Sequence, residues 1–228
     1  MTVQPSLFPD RGGPRVSARK AVTALAKADP ILGKLIASVG TFKIRGEHDV
    51  RHPIATLARA ITGQQLSGRV AEVIYGRLEQ LLGEVTAEAI AATDTEALRK
   101  VGLSYAKVAA LKDLAAKAQS GVVPTAAALH RLSDDEIVER LTEVRGIGRW
   151  TVEMLLMFRL GRPDVLPIDD LGIRKGFQIT YRKREMPKPK AILAYGERWR
   201  PYRTIASWYL WRSLDAPATP KRKPARRG

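Results

Sequence analysis

The chain has 228 residues, 45% of them hydrophobic and 27% charged, a composition typical of a globular protein with a substantial core. It contains no cysteine, which excludes disulfides and any zinc or iron–sulfur site built on cysteine ligands. Its formal net charge of +16 indicates a polyanionic partner. No apolar run approaches the ~18 residues of a membrane span, and the N-terminus lacks the apolar core of a secretory signal, so we expect no membrane partner.

The positive charge is concentrated in one part of the chain. Residues 1–49 carry 8 Lys/Arg against 4 Asp/Glu, and residues 50–165 carry 15 against 14. Residues 166–228 carry 16 against 5, a balance of +11. This contrast predicts a balanced scaffold with one basic face rather than a uniformly basic chain.

In chain order, the periodicity predicts an all-α protein. Residues 1–14 are rich in Pro and Gly and are expected to be flexible, and residues 215–228 form a basic tail expected to be disordered, either an arm that scans phosphates or a solubilising end. The best strand candidate is the short stretch 41–45. Apolar residues at helical spacing predict helices over residues 17–29, 30–39, 53–65, 67–82, 94–101, 104–120, 133–144, 148–160, 169–180, 189–198 and 201–214.

Four polar residues stand where N-caps are expected: Ser67, Asp94, Ser104 and Ser133. Ser133 is followed three residues later by Glu136, which predicts a capping box at that helix start.

A Gly-Ile-Gly turn joins two of the predicted helices. Glycine tolerates positive φ, so Gly146 and Gly148 allow a tight turn, and Ile147 is expected to pack inward with Leu141 and Val144. The first turn of the second helix has unpaired N–H groups and the positive end of the helix dipole, which suit a phosphate. A Gly-x-Gly turn alone can also be a plain connector. The residues expected to contact a DNA backbone here are Gly146, Ile147, Gly148, Arg149 and Thr151.

The fuller pattern LTEVRGIGRWT, followed by a loop with Gly161, Pro163 and Pro167 and then by Asp169 and Asp170, resembles the helix-hairpin-helix DNA glycosylase superfamily. Three further segments are similar to its alkylation-repair branch, the 3-methyladenine DNA glycosylases of type II: ITGQQLSGRVA from Ile61, LPIDDLGIRKGF from Leu166 and WRPYRTIASWYLWR from Trp199. The resemblance covers residues from about 20 to 214. It implies a helix-hairpin-helix glycosylase fold of two helical subdomains with a cleft between them.

This resemblance implies a division of the chain. Residues 50–165 would form a central bundle, with the hairpin at about 141–160. Residues 15–49 and 166–214 would form a second lobe made from both ends of the chain. Asp170 would then lie at the cleft, where DNA would bind.

The resemblance assigns the catalytic role to Asp170, while Asp169 is expected to be its structural neighbour, for instance a helix N-cap. The spacing alone does not distinguish the two acids, and both could be helix caps. A DNA wedge, which fills the gap left by an extruded nucleotide, is expected at Gln65, with Leu66 second. Gln64 and Gln65 could equally be polar residues that cap a helix end.

A cationic alkylated purine is a good leaving group and prefers electron-rich aromatic rings. Trp211 matches a base-stacking position of the family, although core packing in an apolar helix is the alternative. The expected base pocket consists of Trp211, Trp150, Trp208, Met154 and Leu171, the last two standing where larger relatives have tyrosines. Further DNA-backbone contacts are expected from Arg174, Lys175 and Arg203.

Bifunctional relatives carry a lysine nucleophile where this chain has Trp150, and a Schiff base needs an amine, so we expect no AP lyase activity. No cofactor and no catalytic metal are expected, and the resemblance implies at most a structural monovalent cation at the hairpin. The expected partner is double-stranded DNA with damaged bases. We expect a monomer, in the cytoplasm and associated with the nucleoid if the source is bacterial, nuclear if it is eukaryotic.

The sequence leaves three functions open. The first is a monofunctional glycosylase for alkylated bases of the 3-methyladenine and 7-methylguanine class. The second is a glycosylase of the same superfamily for another lesion, such as ethenoadenine, hypoxanthine or a mismatched base. The third is a DNA-binding module that has lost catalysis.

Overall fold

The computed structural model describes residues 17–42 and 52–215. Within these ranges there are thirteen α-helices and one 3₁₀ turn (Glu197–Trp199), and no strand, as predicted. The predicted flexible N-terminus and the tail beyond Asp215 lie outside the described residues, as does most of the strand candidate, of which Thr41 and Phe42 belong to no helix or strand. None of the helices in the described part is long and apolar enough to cross a membrane.

In chain order, the helices are α1 (Ala18–Ala28), α2 (Pro30–Val39), α3 (Pro53–Gly63), α4 (Gly68–Leu82), α5 (Ala87–Ala92), α6 (Thr95–Lys100), α7 (Tyr105–Gln119), α8 (Ala126–Arg131), α9 (Asp134–Thr142), α10 (Arg149–Phe158), α11 (Leu171–Thr180), α12 (Pro189–Gly196) and α13 (Arg203–Arg212). The chain divides into two compact units. Among the described residues, unit 1 comprises residues 52–162, and unit 2 comprises residues 17–42 and 163–215.

Every helix predicted from the periodicity is present, most of them one or two residues shorter at each end. The helices α5 and α8, of six residues each, were not predicted. Asp94, Ser104 and Ser133 accept N-cap hydrogen bonds, and Ser133 forms the predicted capping box with Glu136. Ser67 stands at the N-cap of α4 but its side chain makes no cap bond.

In unit 1, α7 packs against α3, α5 and α6, and five of its apolar residues are buried, Leu111 and Leu114 among them. Three lysines on α7 bind main-chain carbonyls at the ends of neighbouring elements. Lys107 donates to the end of α3, Lys112 to the end of α5, and Lys117 to the residue that follows α9. Because the last carbonyls of a helix lack partners within it, these ammonium groups fix the ends of three elements on one central helix.

Unit 2 is built around a buried carboxylate, that of Asp29, which is 1% exposed. It accepts hydrogen bonds from the Leu32 N–H (3.0 Å), the Tyr181 hydroxyl (2.6 Å) and the Trp199 indole (3.0 Å). Burial acts to raise the pKa of Asp29, but these bonds outweigh it, so its pKa lies below the ordinary carboxyl value. The carboxylate therefore ties the start of α2 to α11 and to the 3₁₀ turn.

A close approach of α11 and α13 sets the geometry of unit 2 near the predicted catalytic acid. A Cβ placed on Gly176 would lie 2.1 Å from the Leu210 carbonyl oxygen, so only glycine fits there. Four residues earlier, a Cβ on Gly172 would lie 2.8 Å from the Trp211 ring and 3.0 Å from Asp170 Oδ1. Both glycines lie on the face of α11 that meets α13.

Candidate active site and DNA-binding hairpin

The helices α9 and α10 form the predicted hairpin. Leu141, Val144 and Ile147 are buried, as the pattern predicted, while Gly146 and Gly148 are exposed. The buried apolar side chains therefore hold the turn in place, and its main chain stays accessible to solvent at the two glycines.

The two glycines of the turn have different roles. Gly146 has a φ of 79°, in the region that favours glycine, whereas Gly148 has a φ of −93° and is the extended N-cap of α10. The expectation that both supply positive φ is therefore wrong for Gly148. A Cβ on Gly148 would meet nothing within 4 Å, so its absence leaves open space in front of the first turn of α10.

That first turn is exposed at Gly148, Arg149 and Trp150. The first amides of any α-helix lack partners within the helix, which makes the turn a ready anion site. The Thr151 N–H is an exception, because it donates to the Gly148 carbonyl (2.9 Å). The Arg149 side chain is 59% exposed and pairs with the buried Glu153 at 3.2 Å, which holds its guanidinium beside the turn.

Three side chains outside the hairpin bind its turn, and the sequence reasoning assigned a role to none of them there. Gln64 donates through Nε2 to the Gly146 carbonyl (2.7 Å). Asp113 accepts from the Arg145 N–H (2.7 Å), and this bond is the main reason that the Asp113 pKa lies below its ordinary value. Lys117 donates to the Glu143 carbonyl and pairs with Asp113 at 3.0 Å.

These contacts bear on the monovalent cation that the resemblance implies. The carbonyls of Glu143 and Gly146 already accept from Lys117 and Gln64, and the Val144 carbonyl accepts from the Ile147 N–H. Since Lys117 is itself a cation, the Glu143 carbonyl does not fit as a ligand of a second one.

The predicted wedge residues follow the end of α3 directly. Gln65 has a φ of 59°, unusual for a residue with a side chain, and is exposed. Leu66 is 37% exposed, a large apolar side chain left on the surface. Gln64 is the C-cap of α3, so the alternative reading of this pair as a helix end holds for Gln64.

In unit 1, the expected pocket residues Trp150 and Met154 line one pocket of about 360 Å³ between α3 and α10. Trp150 is 49% exposed, so it is not a core residue. The other walls come from both helices and from the residues that end them, and include Arg59, Gln64, Phe158 and Arg159.

In unit 2, the Asp170 carboxylate is held at the start of α11. Its Oδ1 accepts from the Ile173 N–H (2.7 Å) and from the Trp211 indole N–H (2.9 Å), and the residue is half-buried. Asp170 itself is the N-cap of α11. The assignment of that cap to Asp169, which is exposed, is therefore wrong. The carboxylate that caps α11 is that of Asp170, the acid to which the resemblance assigns the catalytic role.

Gly172 is a site residue that the sequence reasoning missed. Because any side chain there would collide with Trp211, glycine is what lets the indole reach the carboxylate. The signal was a glycine in the first turn of a predicted helix, two residues after an acid.

The remaining aromatic and apolar pocket candidates are also in unit 2. Trp208 packs edge-on against Phe42 (5.1 Å between ring centroids) and against Tyr209 (4.9 Å), an arrangement typical of core packing. Leu171 is 54% exposed in the first turn of α11, next to Asp170.

The basic residues expected on the DNA face differ in their surroundings. Lys175 is exposed, and Arg174 is half-buried and donates to the Pro187 carbonyl (3.2 Å). The Arg203 side chain is 11% exposed and makes a two-pronged ion pair with Asp164, at 2.8 and 3.0 Å. This pairing gives Arg203 a structural role in unit 2 in place of the phosphate contact expected for it.

Comparison with known proteins places this hairpin and acid in a family. Residues 58–201 match the family model described as HhH-GPD superfamily base excision DNA repair protein. DNA-3-methyladenine glycosylase 1 of Schizosaccharomyces pombe is 38% identical over 200 residues, which are 86% of this chain and 88% of that protein.

Two solved structures are similar to this one over most of its length. The S. pombe 3-methyladenine DNA glycosylase Mag1, in complex with abasic DNA, has a TM-score of 0.74 at 39% identity and is covered over 95% of its chain, against 85% of this one. A DNA-3-methyladenine glycosidase of Bacillus halodurans has a TM-score of 0.78 at 33% identity, with 86% of this chain and 89% of that chain covered. The chain therefore belongs to the HhH-GPD superfamily of base excision DNA repair proteins.

Proposed function

We propose that this protein is a DNA glycosylase that hydrolyses the N-glycosidic bond of alkylated bases, of the 3-methyladenine and 7-methylguanine class, in double-stranded DNA. The observation that carries the proposal is the Asp170 carboxylate, oriented by the Ile173 N–H and the Trp211 indole. The names of the S. pombe and B. halodurans relatives support the choice of lesion class.

A base in a duplex is out of reach, so the nucleotide is first extruded at a cost of a few kcal/mol for unstacking. The exposed first turn of α10 binds a phosphate, and Gln65 and Leu66 fill the space that the nucleotide leaves. A damaged base that stacks or pairs poorly costs less to extrude, which contributes selectivity.

As the bond breaks, the sugar gains oxocarbenium character. The Asp170 carboxylate stabilises this charge and orients or deprotonates the attacking water. Its two N–H donors fix its plane before the substrate arrives, so that no reorientation is needed during the reaction. Since a cationic alkylated purine leaves readily, no strong general acid is required, and none of the segments that resemble the family contains a histidine.

In unit 1, Trp150 and Met154 line the proposed base pocket. In unit 2, the Trp211 ring lies beside the acid. Aromatic faces attract a cationic base by their quadrupole. Trp150 also stands where a lyase would need lysine, so the protein is monofunctional and leaves an abasic site without cutting the strand.

The proposal is tested by incubating the protein with DNA that carries 3-methyladenine and 7-methylguanine and measuring the free bases. We expect release of alkylated base, and no release from undamaged DNA. If neither base is released, the proposed activity is wrong, and DNA binding without release would identify a non-catalytic DNA-binding module.

Three further expectations belong to this proposal. Activity persists in EDTA, because no step uses a metal. The protein sediments as a monomer with and without DNA. In the cell it is found with the DNA, which is the nucleoid of a bacterium or the nucleus of a eukaryote.

A further inference from the structure

Gln64 lies where two DNA-contacting segments of unit 1 meet. Its main chain ends α3 and leads directly into the wedge residues Gln65 and Leu66. Its side chain crosses to the hairpin and donates to the Gly146 carbonyl at 2.7 Å, a contact between residues 82 positions apart.

The main chain of Gln64 is fixed as well. The Lys107 ammonium donates to the Thr62 carbonyl at 2.7 Å and to the Gln64 carbonyl at 3.0 Å. Hydrogen bonds from a charged donor are stronger than neutral ones, so the end of α3 has a defined position on α7. Gln64 is thus held at its main chain and holds the hairpin with its side chain.

The hairpin turn is held from its other side by the same helix, α7. Asp113 accepts from the Arg145 N–H, and Lys117 donates to the Glu143 carbonyl. Three peptide groups of the turn are therefore bound by side chains from elsewhere, and Gln64 supplies the one next to the exposed first turn of α10.

Because this bond is exposed, it can position the two segments while contributing little to the stability of the fold. Gly146 is exposed and Gln64 is only half-buried. Water can replace the bond at such a site, so its loss costs little folding free energy. The bond does fix the distance between the wedge residues, Gln65 and Leu66, and the peptide groups of the hairpin turn that are proposed to bind a phosphate.

We propose that Gln64 is a positioning residue that couples the hairpin to the wedge, so that phosphate binding by the turn and insertion of residues 65–66 occur as one event. The proposal rests on the proposed function, because it requires that the protein extrude a nucleotide. It does not require that the glycosidic bond be cleaved.

The test uses Gln64→Met, which keeps the size of the side chain and removes its amide. Gln80→Met is the matched control, since Gln80 is an exposed glutamine on α4. Three quantities are measured: the Kd for undamaged duplex as a function of salt, the fluorescence rise of 2-aminopurine beside a tetrahydrofuran abasic site, and the Tm.

For Gln64→Met we expect a Kd for undamaged duplex roughly tenfold weaker, and a slope of log K against log salt reduced by about one, as for one lost phosphate contact. We also expect a smaller rise in 2-aminopurine fluorescence for Gln64→Met and a Tm equal to that of the wild type. The control Gln80→Met should equal the wild type in all three quantities. Weaker binding to undamaged DNA matters because a glutamine that merely touched the extruded base would affect damaged DNA alone.

A double-mutant cycle with Leu66→Ala tests the coupling itself. If Gln64 joins the two segments, Leu66→Ala changes the 2-aminopurine signal less in the Gln64→Met background than in the wild type. Strict additivity, an unchanged salt slope, or losses that track a lowered Tm would each overturn the proposal. A wild-type protein that bound DNA without any 2-aminopurine response would instead overturn base extrusion, and with it the proposed function.

Discussion

The indole of Trp211 donates a 2.9 Å hydrogen bond to the carboxylate of Asp170, from a helix that starts 33 residues later in the chain. This bond lies beside the N-cap bond from the Ile173 N–H, and both end on Oδ1. The tryptophan expected to stack on a base is thereby also the residue that orients the acid.

Replacing Trp211 by Phe keeps an aromatic face and removes the N–H donor. We expect single-turnover base release to slow by about 10–100-fold, the usual effect of losing a group that orients a catalytic residue. The Kd for abasic DNA should change much less. Equal rates for the variant and the wild type in a single-turnover assay would show that the bond has no role in the reaction.

The two glycines of α11 are expected to respond differently to alanine. Gly172→Ala places a Cβ against the Trp211 ring, and we expect a strong loss of base release with a modest change in Tm. Gly176→Ala places a Cβ 2.1 Å from the Leu210 carbonyl oxygen, where the main chain must shift. Overpacking of this kind costs about 1–3 kcal/mol, or roughly 2–4 °C of Tm for each kcal/mol in a chain of this size.

Thermal melts and single-turnover rates of the two glycine variants separate these effects. If Gly172→Ala retained full activity, the approach of Trp211 to Asp170 would be unimportant for catalysis. A Gly176→Ala protein with the Tm of the wild type would contradict the close approach of α11 and α13.

Much of the hairpin could be predicted from the sequence, because it is a local pattern. Leu141, Val144 and Ile147 repeat at helical spacing, and their burial follows from it. Contacts between distant positions leave no such pattern, so the Gln64–Gly146 bond could not be predicted. The same holds for Arg203, whose charge indicated a phosphate but whose partner is Asp164. Helices α5 and α8 consist largely of alanine, so their short sequences show no clear alternation of apolar and polar residues.

The buried Asp29 makes the stability of unit 2 depend on pH. Hydrogen bonds from Tyr181, Leu32 and Trp199 hold its pKa below the ordinary value of 3.8. The stabilisation is therefore complete above the pKa of the unfolded state and is lost as the pH falls through the lower folded pKa. We expect Tm to fall below about pH 4, where carboxyl groups of ordinary pKa begin to protonate.

Asp29→Asn removes this titration and leaves the buried donors without a carboxylate, at a cost of about 1–3 kcal/mol for each poorly satisfied group. We expect a lower Tm at pH 7 and a smaller further drop between pH 4 and pH 2.5. If the Tm of the wild type and that of the variant fell by the same amount between pH 4 and pH 2.5, the role given to Asp29 would be contradicted.

The proposed absence of lyase chemistry is testable by chemical trapping. A Schiff base formed with an abasic site is reduced by sodium borohydride to a stable protein–DNA adduct. Because Trp150 cannot form one, we expect no adduct and no strand cleavage before alkali is added. A borohydride adduct formed at the rate of base release would show that another amine of this chain acts as a nucleophile.

Asp170 is proposed to carry the chemistry, and its neighbour Asp169 provides a matched control. The decisive measurement is single-turnover release of 7-methylguanine by the wild type, Asp170→Asn and Asp169→Asn, with the Kd for abasic DNA measured in parallel. Losing the group that stabilises the developing charge should slow Asp170→Asn by at least about 10²–10³-fold, with Asp169→Asn close to the wild type and all three proteins binding DNA. Undiminished release by Asp170→Asn, or an equal loss in both variants, would contradict the account.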